Sequence, residues 1–224
     1  MDLADWNGST INENEGDSEQ SKREELISRI IEEKGGPAFD DMVRLLEDED
    51  ENVRDIATEV LYRLGDKIRD RLEQLVKSKV KNGKKNDTVL LYLIDLVGDI
   101  GSQNAVKDLI RAISLYDFEE AQLVIYEALA KLGAGEQFYP LLRYMLLEGE
   151  ERFMFGGQVA MVMSYLNIPE IVHDFVDAID SGDFKEEDLE IIKKALSNVI
   201  NTKPSYKEVL ISLVGEENFY GYVQ

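Results

Sequence analysis

Residues 42–66 read MVRLLEDEDENVRDIATEVLYRLGD and contain the pattern that much of the chain repeats. The stretch joins two amphipathic segments through an acidic turn and ends at the pair Leu64-Gly65. Its apolar residues recur with the spacing of one helix face, and a terminal glycine can adopt the left-handed conformation that ends a helix. The stretch therefore predicts a helical hairpin closed by a small residue.

The terminal pair of an aliphatic and a small residue returns at a nearly constant step. It recurs as Ile100-Gly101, Leu132-Gly133, Leu166-Asn167 and Ile200-Asn201, so the steps from Gly65 onward are 36, 32, 34 and 34 residues, and Lys34-Gly35 is a weaker earlier copy. A period of this length is typical of helical solenoids. A period of roughly 20–50 residues marks such repeats. Each repeat contains two helices, so we expect about twelve helices in all. The second helix of each hairpin is predicted over Glu51–Leu64, Asp87–Ile100, Phe118–Leu132, Glu151–Leu166 and Glu186–Ile200.

The opening stretch also resembles a HEAT repeat of the kind grouped with phycobilin-lyase-like repeats. The resemblance rests on Leu45-Leu46, Asp48, Asp50, Val53-Arg54, Ala57, Leu61 and Leu64-Gly65. Later repeats keep the apolar positions but replace the Val-Arg pair, so the full motif covers one repeat while the period covers residues 22–214. The resemblance implies an all-α, armadillo-like fold: a right-handed α-α superhelix of about five to six helical hairpins over residues 21–214.

Two segments lie outside the repeat. Residues 1–20 are polar and acidic without apolar periodicity, so we expect a disordered or loosely docked tail, in which Trp6 is either idle or packs on the fold or a partner. Residues 215–224 include Phe219, Tyr220 and Tyr222. Exposed aromatic side chains are costly, so we expect this segment to cap the last repeat or to contact a neighbouring subunit.

Composition excludes several function classes. The formal charge is -21, and residues 1–20 contribute six acids and no base, which leaves -15 for the remainder. Such a surface repels phosphate backbones and anionic lipid, so neither nucleic acid nor a membrane is an expected partner. The sequence has no cysteine, which excludes disulfides and thiolate chemistry. Because the chain begins without a signal-peptide pattern, we expect a cytoplasmic protein.

Few residues suggest catalysis or metal binding. His173 is the only histidine and stands beside Asp174, so it cannot supply the paired His-Glu ligands of HEAT-like iron hydroxylases, and we interpret it as a structural or surface residue. The acidic run 47–51 lacks the spacing of a calcium loop, which favours a solvated turn with Asp50 as a helix cap. We expect no catalytic residues, no metal and no cofactor.

Two further clusters leave alternatives open. Five lysines between residues 77 and 85 indicate an exposed loop that either balances local charge or docks an acidic segment. The pair Gly156-Gly157 lacks the lysine of a phosphate loop and favours close helix approach. The methionines around that pair are interpreted mostly as core, with a pliable exposed patch as the alternative. They are Met145, Met154, Met161 and Met163.

The outward residues of the second helices form the predicted binding surface, because the resemblance implies that these helices line the concave face of the solenoid. Most of them stand six or two residues before the terminal small residue, and the tyrosines flank those positions. Like charges aligned across the repeats favour a cationic partner. The predicted partner-binding residues are Asp55, Glu59, Tyr62, Arg63, Asp95, Asp99, Tyr126, Glu127, Lys131, Met161 and Tyr165.

The sequence therefore favours a non-catalytic scaffold or adaptor that holds a basic or amphipathic segment of another protein. Two alternatives stay open: a lyase-like or chaperone-like subunit that handles a prosthetic group, and a structural protein that self-assembles through its solenoid ends.

Overall fold

The computed structural model describes residues 13–223, with side chains from residue 20 onward. Within this range the chain forms helices joined by turns, without a strand, which confirms the predicted all-α class. Short 3₁₀ turns lead into α2, α4, α6 and α8. The α-helices are α1 (Glu13–Glu33), α2 (Phe39–Leu45), α3 (Glu51–Leu64), α4 (Arg69–Asn82), α5 (Thr88–Ile100), α6 (Val106–Ala112), α7 (Glu119–Lys131), α8 (Tyr139–Leu147), α9 (Arg152–Ser164), α10 (Ile171–Ser181), α11 (Glu186–Thr202), α12 (Pro204–Val214) and α13 (Phe219–Tyr222).

The predicted second helices agree with α3, α5, α7, α9 and α11 to within two residues at each end. Aspartate caps fix two of the starts. The Asp50 carboxylate accepts a hydrogen bond from the Asn52 N–H at 2.9 Å, and Asp87 accepts one from the Leu90 N–H at 3.4 Å. These bonds satisfy amides that a helix start leaves without a partner, so the predicted capping role of Asp50 is confirmed.

The terminal small residue is left-handed only where it is glycine. Gly65, Gly101 and Gly133 have φ values of 49°, 74° and 67°. Asn167 and Asn201 have no positive φ, and Asn201 lies inside α11. Glycine has no Cβ to clash in this conformation, whereas asparagine does. Glycine alone therefore acts as the left-handed stop in this repeat, and the prediction is wrong at the two asparagines.

The chain divides into two compact units between Ile68 and Arg69. In the N-terminal unit, α3 packs against both α1 and α2. The buried side chains of this unit come from all three helices and the turns between them. They include Ile27, Phe39, Met42, Leu46, Ala57, Val60, Leu61 and Leu64.

The C-terminal unit contains α4 to α13, and its helices pack as consecutive hairpins. Helices α4, α6, α8 and α10 each pack on the helix that follows. The second helices also contact one another in chain order, α5 with α7, α7 with α9 and α9 with α11.

Glycines allow the second helices to approach closely. A Cβ on Gly98 of α5 would lie 2.8 Å from Ala128 Cα of α7, and one on Gly157 of α9 would lie 3.1 Å from Ile191 Cβ of α11. Distances this short exclude any larger side chain unless its neighbours move. The predicted close approach at Gly156-Gly157 is therefore confirmed.

Both ends differ in part from expectation. Helix α1 begins at Glu13, so residues 13–20 of the predicted tail are helical, while Trp6 lies outside the described residues. At the other end Phe219 is buried, and the Tyr222 hydroxyl donates to Asp180 at 2.7 Å, but Tyr220 is 81% exposed. None of the helices described is long and apolar enough to cross a membrane.

Candidate functional site

In the C-terminal unit, Lys131 at the end of α7 is surrounded by three carboxylates. Its Nζ lies 2.6 Å from Asp99 and 3.7 Å from Asp95, both on α5, and 2.8 Å from Glu127 one turn earlier on α7. The close packing of α5 on α7 at Gly98 brings these groups together. Three negative charges and one positive charge leave a net charge of -2 when all are ionised.

The lysine at the centre is more buried than the acids around it. The side chain of Lys131 is 14% exposed, against 45% for Asp95. Burial raises the pKa of Asp95, the charges of Asp99 and Glu127 raise it further, and Lys131 opposes the shift. Burial lowers the pKa of Lys131, but hydrogen bonds to Asp99 and Glu127 outweigh burial, so this pKa is raised above that of an ordinary lysine. Lys131 therefore stays positively charged, while burial favours the protonated form of Asp95.

An aromatic ring completes the site from the third helix. Tyr165 follows the last turn of α9, is 40% exposed, and has its ring centroid 5.4 Å from Lys131 Nζ. A cation over an aromatic face at this distance is attracted by the ring quadrupole. We call Asp95, Asp99, Glu127, Lys131 and Tyr165 the Lys131 cluster. It presents carboxylate oxygens and an aromatic ring to solvent at one place.

The N-terminal unit contains a smaller ionic group. Arg63 on α3 pairs with Glu59 one turn earlier on its own helix and with both oxygens of Glu24 on α1, where Nη2 to Oε2 is 2.9 Å. The hydrogen bond from Arg63 lowers the pKa of Glu24. We call these three residues the Arg63 cluster. The remaining predicted site residues of this unit, Asp55 and Tyr62, are exposed on α3.

The structure thus brings five of the predicted site residues together in the Lys131 cluster, with Met161 one turn before Tyr165 on α9. The expected exposure is wrong for Tyr126. Its side chain is only 6% exposed, and its ring packs against Phe138 with centroids 4.8 Å apart. Neighbouring helix positions differ by about 100° in direction, so Glu127 can face solvent while Tyr126 faces the core.

His173 lies on the surface of α10, which confirms its interpretation as a surface residue. Its neighbour Asp174 is 3% exposed and accepts hydrogen bonds from the Tyr139 hydroxyl at 2.8 Å and from Arg143 Nε at 3.1 Å. Burial raises the pKa of Asp174, against these bonds. The carboxylate is thus engaged by α8 and holds two helices together.

The lysine segment balances local charge. Lys79 Nζ lies 3.1 Å from the Asp87 carboxylate, and Lys85 Nζ lies 3.2 Å from Asp117 and donates to the Ser114 carbonyl at 2.6 Å. Lys77, Lys79 and Lys81 belong to α4, which extends to residue 82, so the predicted loop is wrong for this half of the segment. Among the side chains described from residue 20 onward, no group of three or more histidine, cysteine or acidic residues has a geometry that could hold a metal ion.

Two features of the structure were not predicted from the sequence. Glu24 was missed because it lies on α1, outside the positions aligned on the terminal small residue. The buried position of Asp174 could have been recognised from the sequence. Asp174 stands three residues after Ile171 and four before Ala178, both buried, so it is a polar residue on the apolar face of a helix.

Comparisons of the chain with protein-family models, with curated proteins and with solved structures give no match. The assignment of function therefore rests on the residues and contacts described above, and the HEAT resemblance stays a prediction.

Proposed function

We propose that the protein is a non-catalytic scaffold or adaptor that holds a basic segment of another protein on the Lys131 cluster. The observation that carries this proposal is the sharing of one lysine by Asp95, Asp99 and Glu127. Two negative charges stay uncompensated in a partly buried place, beside an exposed tyrosine. An arriving cation would supply the missing positive charge.

Arginine has the chemistry that this site best complements. Its planar guanidinium forms paired hydrogen bonds with carboxylates and stacks on aromatic rings. Asp95 and Asp99 are 45% and 32% exposed, and the Tyr165 ring lies beside them. The formal charge of -15 outside residues 1–20 would draw a basic segment towards this surface and speed the encounter.

The packing order of the C-terminal unit supports a HEAT-type superhelix as the scaffold. Its hairpins follow one another, and its second helices contact their successors from α5 to α11. In such an array the second helices share one face, and extended faces of this kind bind partner segments. The Lys131 cluster draws its residues from three successive second helices, so a bound segment would cross α5, α7 and α9.

The direct test is a binding titration with a short arginine-rich peptide at fixed ionic strength. The site variant combines Asp95→Asn, Asp99→Asn and Glu127→Gln. The control variant combines Glu150→Gln, Glu208→Gln and Glu216→Gln, which removes the same charge from exposed positions elsewhere in the same unit.

We expect the site variant to bind at least about tenfold more weakly than the wild type, since losing close charge pairs costs on the order of 1–2 kcal/mol or more. The control variant should lose much less. Equal losses in the two variants would mean that only net charge matters, and the proposal would fail. An unchanged melting temperature in the site variant would show that the loss is not due to unfolding.

A further inference from the structure

We infer that the bound segment is a basic amphipathic helix, whose apolar side covers a methionine-rich stripe on α9. This inference rests on the proposed function, because the Lys131 cluster is taken as the place where the basic residues bind. It adds a second contact surface of different chemistry and specifies the conformation of the partner.

The stripe runs along α9 away from the cluster. Met154, Met161 and Tyr165 are separated by seven and four residues, so they lie on one face of the helix, together with the partly exposed Gln158. Met154 is 74% exposed and Tyr165 is 40% exposed, while Met161 is partly buried against the core. From Met154 to Tyr165 the stripe is roughly 16 Å long, about three helical turns. A helical ligand presents apolar anchors over this length at every third or fourth residue.

The neighbouring helix α11 widens the stripe. Ile191 is 37% exposed, and its Cβ lies 3.1 Å from the place that a Cβ on Gly157 would occupy. Gly157 stands between Met154 and Met161 on α9, so Ile191 borders the stripe midway along its length. Gly157 itself is buried, and its missing side chain lets Ile191 pack closely against α9. We call Met154, Met161, Tyr165 and Ile191 the apolar stripe.

Acidic groups lie at one end and along one side of this stripe. The Lys131 cluster lies at the Tyr165 end of the stripe, with its acids on α7 and α5. Along the side, Asp188 of α11 places its Oδ1 3.1 Å from the same Cβ position at Gly157. An apolar strip with acidic groups at its end and side complements a helix that has an apolar face with basic residues at its edges.

The residue types at the centre of the stripe also favour a helical partner. Methionine is flexible and polarizable, so it adapts to the irregular surface of an apolar helix face. Helix recognition in a groove commonly uses apolar anchors on one face, and methionine-rich surfaces are well suited to such binding. An extended basic strand would engage the carboxylates but would leave most of the stripe uncovered.

The test compares two synthetic peptides of about 18 residues, roughly 27 Å long as helices. Both contain the same numbers of leucine and lysine. In the first peptide the leucines fall on one helical face, and in the second they are distributed around the helix. Fluorescence anisotropy measures the affinity of each peptide, and circular dichroism reports helix formation on binding.

The stripe variant combines Met154→Gln with Ile191→Gln. Its matched control combines Leu141→Gln with Leu213→Gln, which are 43% and 38% exposed on α8 and α12. We expect wild type to prefer the amphipathic peptide by about tenfold, as burial of two apolar side chains implies. The preference should vanish in the stripe variant and persist in the control, and the bound peptide should be helical.

Three results would overturn the inference. If both peptides bind wild type equally and both weaken when the Lys131 cluster is neutralised, the amphipathic helix is excluded while the proposed function stands. If the preference survives in the stripe variant or is lost equally in the matched control, the apolar stripe is not the contact. If neither peptide binds wild type, the proposed function and this inference fail together.

Discussion

The Arg63 cluster and the Lys131 cluster start from the same repeat positions. Each has a glutamate six residues before the terminal glycine, Glu59 or Glu127, and a cation two residues before it, Arg63 or Lys131. Both pairs are joined within one helix turn. The outcomes nevertheless differ, because Arg63 meets one further carboxylate, from α1, and Lys131 meets two, from α5.

The neighbouring helix therefore decides what a local ion pair becomes. Arg63 is 34% exposed and its two partner acids lie at the surface, so the Arg63 cluster is a solvated ionic contact between α1 and α3. Such contacts contribute little to stability. Lys131 is 14% exposed and shares its charge among three carboxylates. The Arg63 cluster keeps a net charge of -1 at an exposed place, whereas the Lys131 cluster keeps -2 around a largely buried cation.

The largest expected difference between the two clusters is in how much their cations contribute to stability. Lys131→Met leaves three carboxylates close together without their cation, so we expect unfolding free energy at neutral pH to fall by about 1–3 kcal/mol. Arg63→Met at the exposed cluster should have a clearly smaller effect. Urea unfolding of wild type and both variants under one buffer condition measures the difference, and equal losses would remove the distinction between the clusters.

The same variant should show a specific pH dependence. Because Lys131 opposes the raised pKa of Asp95, its removal should move the folded-state pKa of Asp95 further above the unfolded value of about 4. Acids with raised folded pKa values destabilise the protein once the pH exceeds the unfolded value. The stability deficit of Lys131→Met should therefore be complete at neutral pH and shrink as the pH falls through this window towards about 4. A deficit that stays constant with pH would indicate lost packing in place of charge repulsion.

The next effect is on ligand affinity. Lys131 occupies the centre of the site and competes with any arriving cation, so its removal changes the net charge of the cluster from -2 to -3. We expect Lys131→Met to bind the arginine-rich peptide about five- to tenfold more tightly at a temperature where the variant stays folded. Isothermal titration calorimetry measures this directly. Weaker binding by the variant would show that Lys131 organises the site for the ligand.

A smaller effect concerns the pH dependence of binding. Burial raises the pKa of Asp95, so this carboxyl takes up a proton at a higher pH than an ordinary aspartate does. Its protonation removes one negative charge. Peptide affinity should therefore fall severalfold as the pH is lowered through the pKa of Asp95. In Asp95→Asn the remaining fall should move to lower pH. Overlapping pH profiles for wild type and variant would exclude Asp95 as the responsible group.

The smallest effect is expected at the other cluster. Glu24→Gln removes one acid of the Arg63 cluster, and we expect peptide affinity to stay within about twofold of wild type, because surface pairs carry little energy. The same titration provides the measurement. A loss as large as that of Asp95→Asn would show that ligand binding does not distinguish the two clusters.

The sequence predicted what depends on neighbours along one helix. The spacing of apolar residues located α3 and α5 nearly to the residue, and Asp50 was recognised as a cap because its partner amide is two residues away. The charged positions that meet at Lys131 were also predicted, since they recur at fixed distances from the terminal small residue. Local periodicity is sufficient for such features.

Other features depend on contacts that periodicity does not contain. Two carboxylates of α5 reach Lys131 because Gly98 lets α5 approach α7 closely. Tyr126 and Glu127 are adjacent in sequence, yet one is buried against Phe138 and the other pairs with Lys131. At Asn167 the repeat alignment suggested a left-handed stop, but this residue has no positive φ, although Asn86 has a φ of 52°.

Methionine methyl groups offer the most direct test of where a basic segment binds. The sequence contains six methionines, and ¹³C labelling of their methyl groups gives one NMR signal each. Met161 and Met154 lie on the α9 face that begins at Tyr165, whereas Met42 is buried in the N-terminal unit and Met145 lies in the core of the C-terminal unit. Titration with the basic amphipathic peptide should shift the signals of Met161 and Met154 and leave those of Met42 and Met145 in place. Shifts confined to Met42, or no shift at Met161 under saturating peptide, would contradict binding on this face of α9 beside the Lys131 cluster.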